Sequence, residues 1–157
     1  SNLYNFLTID LIIQENEDES IKDIIFGNEW KYFKWEIDGK EYTLHEIEHK
    51  ILRPLNYKIH YSIVCASISC PDLRNEAYTA KRIWQQLEEQ ENLFLNNPKK
   101  GIKKEDEREV SVSKIFDWYE DDFGGEKKIL EIINRKKKEN FEEIDDYLDY
   151  NWNLNKK

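Results

Sequence analysis

Residues 59–78, IHYSIVCASISCPDLRNEAY, combine a strand-like pattern with both cysteines of the chain. The β-branched and aromatic residues that lead up to Cys65 predict a buried β-strand over residues 57–65. Cys65 ends that strand, Cys70 follows in the next loop, and Pro71 turns the chain away. Because a strand end holds a side chain rigidly while leaving it accessible, we expect any chemistry of this protein to involve these two cysteines.

The two cysteines allow three interpretations: buried structural thiols, a reactive thiol, or a disulfide. Cys65 and Cys70 are separated by about 16 Å of chain when it is extended, so a disulfide would require residues 66–69 to curl sharply. We therefore expect two free thiols at one end of the sheet. The spacing also differs from the C-x-x-C pairs of structural zinc sites, and no other motif indicates a cofactor.

Alternating apolar residues predict two β-hairpins in the rest of the chain. One spans residues 33–44 around an Asp38-Gly39 turn, and the other spans residues 101–112 around a charged tip. Helical patterns cover five further regions: residues 2–14, the segment from the Thr43/Glu46 capping box to Pro54, and residues 79–96, 113–120 and 126–137.

Hairpins dominate the strand signals, and helices do not alternate regularly with strands. We therefore predict a single α+β domain over residues 1–157, with a small, mainly antiparallel sheet and helices packed around it. The strand at 57–65 is expected in the interior of that sheet. The helix at 2–14 contains too many apolar residues for a surface helix, which predicts that it is buried. Because the chain contains no methionine, we expect it to be a piece of a longer or processed protein.

The charge of the chain narrows the classes of partner. A formal net charge of −9 and a pI near 5.0 argue against nucleic-acid binding, which needs clustered Lys and Arg to neutralise phosphates. The one basic run, residues 135–138, is followed directly by acidic residues. The chain contains no apolar run of about 18 residues, so we expect no transmembrane segment.

Residues 45–49, HEIEH, match the H-E-x-x-H pattern, which places two imidazoles on one helix face to bind zinc. Glu76 is a candidate third ligand for a zinc hydrolase. Against this function, His45 lies in the first turn of a short helix, where fraying is greatest, and the Gly and third His of the extended motif are missing. We therefore expect no metal at His45 and His49.

Short motifs along the chain resemble those of a known family. The matching segments are NxYN at 2–5, IEHxILR at 47–53, IHY at 59–61, VCAS at 64–67, SCP at 69–71, LRxEAY at 73–78, residues 113–123, and LDYxWxLN at 148–155. In these segments the chain resembles the domain of unknown function 547 (DUF547) family. The residues that fit the family pattern include Asn5, Glu48, His49, Arg53 and Cys65.

The resemblance implies several further properties. Family members usually carry an acidic or polar residue at the position of His45, which makes the H-E-x-x-H match accidental. Plant-type members often have Ser at the position of Cys70, which implies that a disulfide with Cys65 is not a general requirement. The family pattern also implies further helices before Asn2. Because bacterial members commonly begin with an export signal, the resemblance also implies a secreted or periplasmic location.

Two functions from different classes are compatible with these residues. In the first, the protein is a cysteine-dependent hydrolase or transferase in which Cys65 is the nucleophile and His49 is its base. Either Asn5 or Glu48 orients the imidazole, and backbone N–H groups after the strand stabilise the oxyanion. Because neighbouring helical residues point about 100° apart, we expect Asn5 to contact His49 and Glu48 to point elsewhere. A hydrogen bond between Cys65 and His49 would favour this function.

In the second, the protein is a non-catalytic binding or scaffold module whose buried polar network fixes the fold. That network would comprise Asn5, Glu48, His49 and Arg53. The candidate binding residues are Arg53, His60, Cys70 and Arg74. The expected partner is an unidentified small molecule or peptide, and the sequence does not decide between the enzyme and the binding module.

Overall fold

Helices make up most of the regular structure in the computed structural model, which describes residues 1–26 and 28–156. The described α-helices are α1 (Asn2–Gln14), α2 (Ile21–Phe26), α3 (Glu29–Tyr32), α4 (Leu44–Glu46), α5 (Ile83–Leu95), α6 (Lys114–Trp118), α7 (Glu120–Phe123) and α8 (Glu126–Lys137). Helix α4 begins with the predicted capping box and continues directly into a π-helical segment, Ile47–Leu52. The predictions for α1 and α8 are confirmed to the residue.

Helix α5 begins later than the sequence predicts, at Ile83 instead of after Thr79. The backbone N–H of Thr79 donates to Oε1 of Gln86 at 2.9 Å, and the N–H of Arg82 donates to the Thr79 carbonyl at 3.0 Å. Thr79 therefore opens a turn before the helix. The predicted start at residue 79 was wrong, because residues 79–82 form this turn, with the Gln86 side chain bonded to its first residue.

The strands form two small sheets, and both predicted hairpins are confirmed. The described strands are β1 (Trp35–Ile37), β2 (Lys40–Tyr42), β3 (Ile102–Lys104), β4 (Glu109–Val112) and β5 (Glu143–Tyr147). The β1–β2 and β3–β4 pairs are antiparallel, and β5 joins β4 in parallel across a bulge at Val110/Ser111. Asp38 and Gly39 both adopt positive φ, at 51° and 71°, as a tight hairpin turn requires. The α+β fold class is confirmed.

The predicted strand at 57–65 is wrong. Tyr57–Tyr61 forms a 3₁₀ helix, and Asn56 caps it by accepting from the Lys58 N–H at 3.0 Å. The segment that follows pairs with a side chain: the Val64 N–H donates to Oδ1 of Asn5 at 3.0 Å. A short apolar run predicts burial but does not distinguish a strand from a buried helical segment, and this run is buried among helices.

Residues 57–65 lie between two hydrophobic cores. Ile59 and Ile63 pack in one core with side chains from α1, α2, α3 and α4. Tyr61 is fully buried in the other core, with side chains from α5 to α8 and from the three-stranded sheet. The chain therefore leaves this segment at the junction of the two cores, and the cysteines follow there.

Helix α1 is buried on one face only, which corrects the prediction of a buried helix. Its inner face contains Tyr4, Asn5, Leu7, Thr8 and Leu11. Its outer face exposes Leu3, Phe6, Ile9 and Ile13, with Ile13 70 % exposed. None of the described helices is long and apolar enough to cross a membrane.

The C-terminal segment lies against the cysteine loop. The Ile68 N–H donates to the Asn153 carbonyl at 2.8 Å, and the Asn155 N–H donates to the Ala66 carbonyl at 2.8 Å. An antiparallel bridge joins Ser67 to Leu154 between these bonds. This pairing fixes the loop between the two cysteines and brings the aromatic residues near the C-terminus beside it.

Candidate thiol site

A cavity of about 290 Å³ lies beside the cysteine loop. Its walls are largely aromatic, with Tyr4, Trp30, Trp118, Tyr119, Tyr150 and Trp152. The indoles of Trp118 and Trp152 stack with their ring centroids 5.4 Å apart, and Tyr150 packs against both rings. Five of the predicted site residues also line this cavity: Cys65, Cys70, Glu48, His49 and His60.

Cys65 and Cys70 are free thiols, as the sequence predicts. Their predicted location at one end of a sheet was wrong, because a 3₁₀ helix and not a strand precedes Cys65. Cys65 is partly exposed and Cys70 is buried. The Cys65 N–H donates to the Cys70 sulfur at 3.0 Å. The sharp curl between the two residues is made by Ala66, whose φ of 65° lies in the left-handed region, and by a turn in which the Cys70 N–H donates to the Ser67 carbonyl at 3.2 Å.

Hydroxyl groups surround the Cys65 sulfur. It lies 3.2 Å from Oγ of Ser67 and 3.5 Å from the hydroxyl of Tyr150, and the Ser67 hydroxyl also donates to the Tyr150 oxygen at 3.0 Å. Donors that stabilise a thiolate lower its pKa. The Cys70 side chain has the largest effect, and together with Ser67 and Tyr150 it lowers the pKa of Cys65 to about 6, against the opposing effect of burial. Burial raises the pKa of Cys70 well above its usual range.

Several backbone N–H groups of the cysteine loop are already bonded. The Cys65 N–H donates to the Cys70 sulfur, and those of Ile68, Ser69 and Cys70 donate to backbone carbonyls. These N–H groups are bonded because the loop folds back on itself and pairs with the C-terminal segment. The predicted oxyanion site therefore cannot use these bonded N–H groups, and the N–H groups of Ala66 and Ser67 stay as its candidates.

His49 faces the cavity but makes no hydrogen bond to Cys65 in the described part of the chain. Its Nδ1 lies 2.6 Å from Nη1 of Arg53. A guanidinium can only donate, so Nδ1 accepts, and the neutral imidazole carries its proton on Nε2. Burial lowers the pKa of His49, which favours this neutral form at pH 7. In this structure the imidazole of His49 is therefore held by Arg53, and it is not bonded to Cys65 as a base.

Arg53 and His60 are held by Asp122. The Arg53 guanidinium binds the Asp122 carboxylate with two hydrogen bonds, at 2.6 and 2.9 Å, and lies over the Tyr119 ring. Nε2 of His60 lies 2.8 Å from the same carboxylate. The guanidinium holds the pKa of Asp122 below its usual range, whereas burial lowers the pKa of His60. Asp122 thus fixes the side chain that orients His49.

Glu48 points into the cavity beside His49, which corrects the prediction that it points elsewhere. Tyr4 donates to one carboxylate oxygen and Tyr119 donates to the other, each at 2.7 Å. The prediction assumed the turn of an α-helix. The π-helical segment closes its turn over five residues, as in the bond from the Arg53 N–H to the Glu48 carbonyl, so neighbouring side chains diverge less.

Asn5 does not contact the imidazole, so the predicted orienting role is corrected. Its side-chain amide donates to the Ser62 carbonyl at 2.9 Å and accepts from the Val64 N–H. Both bonds hold the backbone that leads to Cys65. Asn5 is drawn there because the residues before Cys65 are not in a sheet, and their polar backbone groups need partners.

The H-E-x-x-H residues are engaged in other interactions. Glu46, the general base in the zinc motif, accepts from the Thr43 N–H and pairs with Lys50. Glu76, the candidate third ligand, binds Arg74 and Arg82 and lines a separate groove. Among the described residues, no group of three or more His, Cys, Asp or Glu side chains is arranged to hold a metal ion.

Arg74 does not line the cavity. It pairs with Glu76 and Glu89 in the groove beside α5. Its proximity to Cys70 in the sequence therefore does not bring it into this site.

A comparison with protein families identifies the chain through its N-terminal part. The model of the family described as "Protein of unknown function, DUF547" matches residues 1–95, which is more than half of the chain. The chain belongs to the DUF547 family. No curated protein and no solved structure matches it.

Several residues of the site in this DUF547 protein were missed from the sequence. They are Tyr4, Ser67, Tyr119, Asp122, Tyr150 and the tryptophans of the wall. Asp122 and Tyr150 lie within the segments 113–123 and 148–155 that carry the family resemblance, which was the available signal. Both residues are far from Cys65 in the sequence, and no local pattern predicts that the C-terminal segment packs against the cysteine loop.

Proposed function

We propose that this DUF547 protein is a thiol-dependent acyl hydrolase or acyl transferase with Cys65 as its nucleophile. The supporting observation is the environment of the sulfur. Cys65 is a partly exposed thiol in the wall of an aromatic cavity, and its pKa is lowered to about 6 by the groups that donate to it. Structural cysteines that are buried in apolar surroundings have raised pKa values and are inert, so this combination indicates a reactive thiol.

The thiolate forms in this proposal without a histidine base. At pH 7 a thiol with a pKa near 6 is largely deprotonated, and the hydroxyls of Ser67 and Tyr150 stabilise the anion. His49 then has a different role from the one that the sequence predicts. Its Nε2–H is the donor that stabilises the oxyanion of the tetrahedral intermediate, and Arg53 and Asp122 hold the imidazole in that tautomer.

The reaction consists of two steps. The Cys65 thiolate attacks the carbonyl carbon of an acyl substrate, a C–S bond forms, and the bond to the leaving group breaks once the tetrahedral intermediate collapses. The leaving group departs with the electron pair and takes a proton from solvent. Water, or a second nucleophile in a transferase, then attacks the thioester and releases the acyl product, which regenerates the thiolate.

The cavity limits the acyl group. About 290 Å³ lies at the lower end of ligand pockets, which hold from about 300 to 1,000 Å³. The aromatic walls favour a flat or apolar group. We therefore expect small acyl groups to enter fully and larger substrates to extend past the exposed edge of Trp118.

A small activated ester, 4-nitrophenyl acetate, tests the proposal. The protein should release a burst of nitrophenolate equal to its own concentration, and intact mass spectrometry should find one acetyl group on Cys65. Cys65→Ser should show no burst, and Cys70→Ser should still acquire the acetyl group at residue 65. Acetylation no faster than that of free N-acetylcysteine at the same pH would contradict the proposal.

A non-catalytic binding module is the second candidate, and a specific observation favours it. Asn5 and Glu48 are both buried with their polar atoms fully engaged, as in a network that fixes a fold. In that case Cys65→Ser would leave the binding of a small molecule or peptide unchanged, whereas substitutions in the walls, such as Trp118→Ala, would weaken it.

A further inference from the structure

We propose that Cys65 and Cys70 form a peroxide-sensitive pair, in which Cys65 is oxidised first and Cys70 resolves it to an intramolecular disulfide. This modification site does not depend on acyl transfer, because it requires only the two thiols and their loop. It adds a reversible way of blocking the cavity thiol.

The loop already has the curl that a disulfide requires. The Cys70 sulfur accepts from the Cys65 N–H at 3.0 Å, which places it directly against the backbone of Cys65. Ala66 adopts a positive φ of 65°, which is unfavourable for a residue with a Cβ. Such a conformation persists where the surroundings impose it. The bonds of Ile68 and Asn155 to and from the C-terminal segment impose it here.

The two thiols differ in exposure and in pKa, as a reactive and a resolving cysteine must. Cys65 is partly exposed to the cavity, and its lowered pKa gives the thiolate that reacts with peroxide. Cys70 is buried, and its raised pKa keeps it protonated and poorly reactive toward reagents in solution. The first oxidation is therefore directed to Cys65, and Cys70 remains available to resolve it.

The reaction is balanced with hydrogen peroxide as the oxidant. The Cys65 thiolate attacks one peroxide oxygen, an S–O bond forms, the O–O bond breaks, and hydroxide leaves and is protonated to water. The Cys70 sulfur then attacks the sulfenic sulfur of Cys65, and the S–S bond forms as the S–O bond breaks. The hydroxide that leaves takes the proton of Cys70 and becomes the second water molecule. Each disulfide thus consumes one peroxide and two thiols.

Peroxide treatment of the reduced full chain tests the pair. Samples are quenched with an alkylating reagent under denaturing conditions and analysed by intact mass spectrometry. The protein should lose both alkylatable thiols and two hydrogens, gain no oxygen, form no disulfide between molecules, and recover both thiols with dithiothreitol. Cys70→Ser should instead gain oxygen at Cys65, first as a sulfenic acid that dimedone traps, and over-oxidise at least about tenfold more than the wild type. Cys65→Ser should keep Cys70 reduced, with oxidation at least about tenfold slower.

Several outcomes would overturn the pair. They are over-oxidation of the wild type at the rate of Cys70→Ser, disulfides formed only between molecules, and equal oxidation rates of the two single variants. Circular dichroism of both variants identifies any that fail to fold, and Cys70→Ala serves as the second test of the resolving role. If ester acylation persists without disulfide formation, the pair alone is wrong. If Cys65 reacts with neither reagent, the proposed function is wrong as well.

Discussion

Two buried carboxylates, Glu48 and Glu91, have opposite kinds of partner. Glu91 is fully buried, and the ammonium groups of Lys58 and Lys136 approach its Oε2 at 2.9 and 2.7 Å, as ion pairs without hydrogen-bond alignment. Glu48 is bonded instead by two tyrosine hydroxyls, and in the described part of the chain no lysine or arginine pairs with it.

The location of each carboxylate explains the difference. The Glu91 cluster joins the 3₁₀ helix, α5 and α8 and does not line the cavity, so paired charges there serve only to connect helices. Glu48 lies in the cavity wall, where two neutral donors fix its position but leave its charge uncompensated by a direct cation. The two tyrosine bonds therefore fix a carboxylate in the wall of the candidate site, whereas the two lysine pairs connect helices away from it.

The Glu91 cluster should give the largest change in stability. Glu91→Gln leaves the largely buried ammonium groups of Lys58 and Lys136 with the half-exposed Glu88 as their remaining carboxylate, so we expect the free energy of unfolding to fall by about 3 kcal/mol. Urea denaturation measures this change, and alkylation of Cys65 under native conditions should be unaffected. The matched control is Glu88→Gln, because Glu88 contacts the same lysines but its side chain is 47 % exposed, and it should cost at most about 1 kcal/mol. If both variants lost the same free energy of unfolding, the buried position of Glu91 would have no special role in stability.

Glu48→Gln should lower the free energy of unfolding less than Glu91→Gln does, but it should change the reactivity of the cavity thiol. The Gln side chain presents an NH₂ group to one of the two tyrosine hydroxyls, so we expect a loss of about 1–3 kcal/mol. Arg53→Met should cost a similar amount because it leaves Asp122 without its guanidinium. Unlike Glu91→Gln, both variants should change the rate at which Cys65 reacts with the ester. A stability loss with an unchanged reaction rate would place Glu48 with Glu91 as a structural carboxylate.

His60 should make the stability of the cavity region depend on pH. Burial lowers its pKa in the folded state, so below about pH 6.5 the unfolded chain binds a proton that the folded chain does not. The free energy of unfolding should therefore decrease as the pH falls from 7 to 5, by at most about 1.4 kcal/mol per pH unit for this group. Denaturation at several pH values should give a shallower slope for His60→Asn. An identical slope would show that His60 does not contribute.

Cys65→Ser should have the smallest effect on stability. The substitution removes little volume, and the Ser hydroxyl can keep the contacts with Ser67 and Tyr150, so we expect a change below about 1 kcal/mol. Labelling of the native protein by iodoacetamide should nevertheless be abolished, since Cys70 is buried. A melting temperature that falls as far as that of Glu91→Gln would indicate that Cys65 is a structural residue.

Local patterns predicted most of the secondary structure. The hairpin around Asp38-Gly39 and the capping box at Thr43 succeed because turn and cap geometry depend on adjacent residues. The segment 57–65 fails because its apolar pattern reports burial alone, and the tertiary environment decided between strand and helix. The 3₁₀ helix brings His60 to the same cavity that Cys65 lines.

The sequence did not predict the hydrogen-bond partners of the candidate residues. Cys65, His49 and Glu48 line the same cavity, because the π-helical segment and the chain after the 3₁₀ helix both border it. The partners of these residues come from residues distant in sequence, such as Asp122 and Tyr150, and from a π-helical turn that no sequence pattern announced. The hydrogen-bond role of each site residue therefore depends on the tertiary structure, which local sequence patterns do not predict.

The pH dependence of Cys65 alkylation tests the central claim most directly. The second-order rate constant of iodoacetamide with the native protein is measured from pH 4 to 10, and intact mass spectrometry confirms one label that is missing in Cys65→Ser. Because only the thiolate reacts, a thiol whose pKa is lowered to about 6 should show a rate that rises with pH and levels off above that value. A rate that keeps rising until about pH 8.5 or higher, as for an ordinary cysteine, would contradict the account.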